Sequence, residues 1–215
     1  MSGDELGYIP NSLNQLEACG LEAEPEASII FRTDNEDRPY IAAAKKGDIE
    51  VAIKALAKGK ERMSDLLAEY SVLRALNLKV LNNKEFLPSC QGWYADQVQM
   101  GLIFSPLGTP LIKISKATGV EKLVRYSSNI NSALVAAHSD LGFVHRDVSP
   151  YNIIIHQDKA ILIDWAFAVP IGSLGGKTGT NAFFSVAVSR MRKEDKHAYA
   201  KRDDFESLFF RSSSF

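Results

Sequence analysis

The sequence predicts an α+β chain with a strand, a main helix after it and one tight hairpin. Three observations predict it. Val51-Ala52-Ile53-Lys54 closes a strand-like run that begins at Ile49. Met63, Leu66, Leu67, Tyr70, Leu73 and Leu76 recur at helical spacing across Glu61–Leu76, giving one apolar stripe. Ile153–Ile155 and Ala160–Ile163 are two short apolar runs with His156-Gln157-Asp158-Lys159 between them, the pattern of two strands and their turn.

The remaining elements follow in order. Residues 1–27 are polar and acidic, with Pro10 and Pro25, and read either as a poorly ordered lead-in or as a capping helix around Ser12–Cys19. Lys46-Gly47-Asp48 is a turn into the Ile49 strand. Ser105-Pro106-Leu107-Gly108-Thr109-Pro110 is turn-rich and marks a crossing between two parts, 28–104 and 105–215. Val120–Ser139 reads as a helix with Leu123, Val124, Ser127, Ile130, Leu134, Ala137 and His138 on one side. Ile171–Thr180 holds Gly172, Gly175, Gly176 and Gly179 and reads as a flexible segment in which Ser173 and Thr178 offer hydroxyls for phosphorylation. Arg190–Arg202 mixes both charge signs and reads as a solvated helix or loop.

The hairpin places chemistry. An antiparallel pair brings the residue before its first strand and the residue after its second to the same end, so Asn152 and Asp164 become neighbours. Two oxygen ligands at one point suit magnesium, which takes few ligands from protein. On the helix, Glu69 falls at the edge of the apolar stripe, where a carboxylate is costly unless paired. Lys54 is its expected partner.

His145-Arg146-Asp147-Val148-Ser149-Pro150-Tyr151-Asn152 matches the HRDxxxxN catalytic loop of protein kinases. With Val51-Ala52-Ile53-Lys54, Asp164-Trp165-Ala166, Gly179-Thr180-Asn181-Ala182-Phe183 and Asp203-Asp204-Phe205-Glu206-Ser207-Leu208, the chain resembles the eukaryotic protein-kinase superfamily over about residues 28–210. It is most similar to the protein-kinase-like family expanded in fungi and to casein kinase I relatives. The resemblance implies a bilobal protein-kinase-like fold, with a β-rich N-lobe over 28–104 and a truncated, mainly helical C-lobe over 105–215. It implies ATP and Mg2+ as cofactors and transfer of the ATP γ-phosphate to Ser or Thr hydroxyls of a protein substrate. Asp147 would orient the hydroxyl, Asn152 and Asp164 would hold the metal, Lys54 would meet the α and β phosphates, and Glu69 would position Lys54. Ala52 and Ile154 would sandwich the adenine, and the backbone of the Ile103–Leu107 hinge, including Phe104, would pair with its edge. Thr180 would touch the catalytic loop near Asp147, and Asp204 would brace the loop backbone.

The chain also departs from that family pattern. Ser28–Arg32 and Pro39–Ala44 flank Thr33-Asp34-Asn35-Glu36-Asp37-Arg38, which has no glycine where kinases carry a glycine-rich phosphate loop. Ser149 stands where serine/threonine kinases carry a lysine, Ala166 replaces the glycine after Asp-Phe, and Ala187 falls where a glutamate is usual. The apolar residues Phe205, Leu208, Phe209 and Phe210 lie close to the end of the sequence, so a cut-short C-lobe is expected. These departures leave two alternatives open: a catalytically weak or inactive pseudokinase that acts by binding, and an atypical or small-molecule kinase.

Composition sets outer bounds. A net charge of −1 over 215 residues gives no general attraction to nucleic acid or to a membrane surface. Cys19 and Cys90 lack metal or redox spacing. Residues 1–10 lack the basic start and apolar core of a signal peptide, and no run reaches the ~20 apolar residues of a membrane span. A cytoplasmic or nuclear protein is expected.

Overall fold

The computed structural model describes residues 29–31, 39–46, 48–57, 63–78, 83–95, 99–114 and 119–209. The expected lead-in, the glycine-free loop at 33–38, Phe210 and residues 211–215 lie outside them. The described residues fall into two compact units, one of those up to Leu66 together with 90–107, the other of 67–89 together with those from Gly108 onward. No helix among them is long and apolar enough to cross a membrane.

The first unit is built on a sheet with β1 (Ile29–Phe31), β2 (Tyr40–Lys46), β3 (Ile49–Ala57), β4 (Ser89–Ala95) and β5 (Gln99–Ser105), in the order β1-β2-β3-β5-β4. β3 is central, antiparallel to β2 and to β5. Its Val51-Ala52-Ile53 and Ala55-Leu56 are buried on both faces, as a central strand requires, while Lys54 is half-buried. Successive side chains alternate between faces, so Val51, Ile53 and Ala55 pack with Ala44 and Ile103 in one core cluster, against Tyr40. Ala52 and Lys54 share the other face.

Helix α1 (Met63–Leu78) carries the stripe expected from the sequence, with its centre displaced. Leu66, Val72, Leu73 and Leu76 are buried, but Leu67 is 50% exposed. At about 100° per residue the buried arc then centres on Glu69, not beside it. Val72, buried beside Leu73, extends the arc on the side away from Leu67.

In the second unit a three-stranded sheet runs β6 (Thr109–Pro110), β8 (Ile153–His156), β9 (Lys159–Leu162), with α2 (Val120–Ala136) beside β9. The β8–β9 hairpin forms as expected, with Gln157 and Asp158 both at positive φ in its two-residue turn. The expected face of α2 holds at Ile130, Leu134, Ala137 and His138, all buried, and is corrected at its start. Leu123 and Val124 are exposed, and the buried stripe is Tyr126, Ile130, Ala133, Leu134 and Ala136. The reason is polar: the Tyr126 hydroxyl donates to Asp158 Oδ1 at 2.7 Å, Arg125 pairs with the same carboxylate, and Asn129 Oδ1 accepts the Ala160 N–H at 3.1 Å. These contacts turn the tyrosine face inward. α2 runs into a π turn (Ala137–Leu141) that stops at Gly142, whose φ of 74° favours glycine.

The rest of this unit is short elements: β7 (Phe143–Val144) paired with β10 (Val169–Pro170), β11 (Leu174–Gly175) paired with β12 (His197–Ala198), α3 (Val186–Ser189) and α4 (Lys201–Phe209). The stretch expected as flexible, 171–180, is therefore organised through β11. Likewise 190–202, expected as solvated, contains β12 and the fully buried Tyr199.

Candidate active site

The loop 145–152 leaves β7 and enters β8 through a 3-10 turn at Pro150–Asn152. The side chain of Asn152 faces back along the loop: Nδ2 donates to the Asp147 carbonyl and to Asp147 Oδ2, both at 2.8 Å. The other carboxylate oxygen, Oδ1, accepts the Thr180 N–H at 2.7 Å. Asp147 is therefore fixed from two sides, one within its loop and one from a segment 33 residues later.

Gly179 makes that second contact possible. Its φ is 111°, and a Cβ there would stand 2.5 Å from the Arg146 carbonyl oxygen. Only glycine allows this approach.

Asp204, fully buried at the start of α4, holds the loop backbone. Oδ2 accepts the His145 N–H at 2.7 Å and Oδ1 the Arg146 N–H at 2.8 Å, while His138 Nε2 lies 2.8 Å from Oδ2. Arg146 needs the support, because its φ of 72° is unfavourable for a non-glycine residue. His145, also fully buried, has Nε2 at 3.0 Å from the Ile163 carbonyl and Nδ1 at 3.3 Å from the Asp147 amide, which assigns the ring proton to Nε2.

Across the hairpin the Ile163 N–H donates to the Asn152 carbonyl at 2.9 Å, so Asp164 follows the residue that bonds Asn152. Asp164 itself takes φ 62° and starts a 3-10 turn, Trp165–Phe167. Trp165 is fully buried, packs edge-on to His145 at 4.5 Å and donates Nε1–H to the Leu162 carbonyl at 3.0 Å. Its backbone N–H donates to Glu69 Oε1 at 3.2 Å, giving the buried carboxylate of α1 a partner within the second unit.

The second unit thus contains Asp147, Asn152, Asp164, Glu69 and Ile154, with the first two in direct contact. In the first unit the β3–β5 register sets Ala52 opposite Phe104, Ile53 opposite Ile103 and Lys54 opposite Leu102. Ala52, Lys54 and Phe104 share a face, while the Ile103 side chain belongs to the core cluster. Leu107 is half-buried after β5. Ser149 is enclosed, its hydroxyl lacking a hydrogen-bond partner among the described residues. Among those residues no group of three or more His, Cys, Asp or Glu is placed to hold a metal ion.

Sequence reasoning missed a second network behind the loop. Asp203 accepts the Ser185 hydroxyl at 2.7 Å and the Ala200 N–H at 2.8 Å, and His197 Nε2 lies 3.0 Å from it. Burial alone would raise the Asp203 pKa; the Ala200 N–H, the Ser185 hydroxyl and His197 outweigh that and hold it below the usual carboxylate value. Glu206 caps α3 from the same side, accepting the Val186 N–H at 2.8 Å. The available signal was a histidine and a tyrosine just ahead of two consecutive aspartates.

This strand-rich beginning, the braced HRDxxxxN loop and the hairpin to Asp164-Trp165-Ala166 belong to the protein-kinase superfamily. Comparison with known families narrows the class: the sequence model of the family described as fungal protein kinase matches residues 20–211, and the chain belongs to that family. A probable casein kinase II subunit alpha homolog of Encephalitozoon cuniculi (strain GB-M1) is 41% identical over 58 residues. That match covers 26% of this chain and 18% of that protein's length. The chain is protein kinase-like.

Proposed function

We propose that this chain transfers the γ-phosphoryl group of magnesium ATP to Ser or Thr hydroxyls of protein substrates. The observation that carries this reading is the Asp147 carboxylate, with one oxygen on the Asn152 amide and the other on the Thr180 N–H. An acceptor held in this way can align a hydroxyl without reorganising, and phosphoryl transfer depends mostly on positioning. In this role Asp147 receives the hydroxyl proton as the oxygen bonds to phosphorus and the bond from phosphorus to the departing ADP oxygen breaks.

The donor set fits magnesium. With Nδ2 of Asn152 turned to Asp147, its amide oxygen and the Asp164 carboxylate are hard oxygen ligands. Magnesium bound by these two would offset phosphate charge. Lys54 is assigned to the α and β phosphates and Glu69 to the placing of Lys54. Ala52 and Ile154 are assigned to the adenine faces, and the backbone of Ile103, Phe104 and Leu107 to its edge. The family membership and the small share of the casein kinase II relative that is matched support the class of reaction rather than a particular substrate.

The test is thermal unfolding with and without magnesium ATP, followed by transfer to peptide substrates. Ligand at about 100 times its Kd stabilises by about 2.7 kcal/mol, a shift expected in the wild type and lost in Lys54→Met. Asp147→Asn should keep the ATP shift and lose transfer. An Asp147→Asn protein as active as wild type would overturn the role of Asp147, and a wild type unmoved by ATP would overturn the nucleotide site.

A further inference from the structure

Tyr199 lies outside every motif that carries the kinase resemblance, yet its three polar groups are all spent on one stretch of chain. Its N–H donates to the Ser173 carbonyl at 3.1 Å, and its carbonyl accepts the Gly172 N–H at 2.8 Å. Its hydroxyl donates to the Gly176 carbonyl at 2.8 Å. The face of its ring carries the Arg146 guanidinium, 4.1 Å from the centroid, a favourable cation–π arrangement.

Arg146 works on the same stretch from the other side. Nη2 donates to the Gly176 carbonyl at 3.0 Å, and Nη1 to the Phe167 carbonyl at 3.3 Å. The Gly176 oxygen also accepts the Thr178 hydroxyl at 3.4 Å, so three donors converge on one carbonyl. A side chain at Gly175 would crowd both: a Cβ there would lie 3.1 Å from Arg146 Nη2 and 3.1 Å from Tyr199 Cε2.

We infer that Tyr199 is a positioning residue for the proposed transfer, a clasp that holds Gly172–Gly176 on Arg146 and thereby keeps the Thr180 N–H on Asp147. The inference rests on the phosphotransferase reading above. Tyr199 touches no reacting atom. Its influence reaches Asp147 along two short paths, through Arg146, which is the neighbour of Asp147 in the chain, and through Lys177-Thr178-Gly179 to Thr180. Three residues of chain leave little slack, since each spans only about 3.3–3.6 Å when extended.

Tyr199→Phe removes the hydroxyl and keeps the ring under Arg146. The matched control is Tyr126→Phe, which deletes another hydroxyl of a buried tyrosine, bonded at 2.7 Å to Asp158 at the hairpin turn. One neutral hydrogen bond sets the scale, so Tyr199→Phe should speed amide hydrogen exchange over 176–180 by about fivefold to tenfold and lower kcat by about as much. KM for ATP should not change. Tyr126→Phe should leave both the exchange of 176–180 and kcat at wild-type values. Gly175→Ala, which crowds the clasp from the opposite side, should reproduce the Tyr199→Phe pattern. Wild-type exchange in Tyr199→Phe overturns the clasp, as does an equal loss of kcat in the two tyrosine variants at equal loss of Tm. If the wild type transfers no phosphate, the phosphotransferase reading falls by itself, and the exchange experiment still decides whether Tyr199 holds the segment.

Discussion

Asp204 Oδ1 accepts the Arg146 N–H at 2.8 Å across 58 residues of sequence, and through this bond α4 holds the loop that carries Asp147. The same carboxylate serves the His145 N–H and His138, so its removal strands several polar groups at once in a buried place. Asp204→Ala should therefore destabilise the fold by about 3–5 kcal/mol. Asp204→Asn, which keeps one acceptor oxygen, should cost less, and denaturant melts of the two variants check the order.

Gly179 is predicted to tolerate no side chain. Its positive φ and the close Arg146 carbonyl combine a backbone penalty with a steric one. Gly179→Ala should lose about 1–3 kcal/mol of stability. Transfer should fall further than stability alone explains, because the Thr180 N–H moves away from Asp147; kcat measured well below the variant's Tm tests this.

The displaced stripe of α1 is tested by two neighbouring leucines. Leu66 is 1% exposed and Leu67 50% exposed. Leu66→Ala should cost about 2–5 kcal/mol, whereas Leu67→Ala should stay within about 0.5 kcal/mol. Equal losses would restore the stripe as the spacing alone suggested.

Acid should act through Asp203. Its pKa is lowered in the folded protein, so the stability it contributes is fully present above the unfolded value of about 3.9 and is lost as pH falls through the lower folded value. Tm measured from pH 5 down to pH 2.5 should drop more steeply in the wild type than in Asp203→Asn, which carries no titrating group there. Parallel profiles would remove Asp203 from the acid response.

Much of the site was legible because it is local. The hairpin could be read from two apolar runs around a polar turn, and its register carried Asn152 and Asp164 to one end without any knowledge of the rest of the chain. The strand 49–57 was legible because burial on both faces leaves a nearly continuous apolar run. What could not be read depends on partners far away in sequence. The Leu66–Leu67 ambiguity is unresolved by periodicity, since both residues are equally apolar. The inward turn of Tyr126 depends on Asp158, 32 residues later, and the burial of Tyr199 within 190–202 depends on the Gly176 carbonyl, 23 residues earlier, which accepts its hydroxyl. Charge mixing signals solvent only when no buried acceptor lies within reach.

The placement of Trp165 has a consequence for ligand choice. An indole of this kind withdraws about 150–250 Å² from water, worth about 4–6 kcal/mol, and here its Nε1–H is also bonded. A conformer with that ring swung out into solvent would hold less than about one molecule in a thousand at equilibrium. A small molecule that can occupy only the vacated indole space would thus meet a thousandfold loss of apparent affinity before making its first contact, whereas compounds that leave the ring in place carry no such burden.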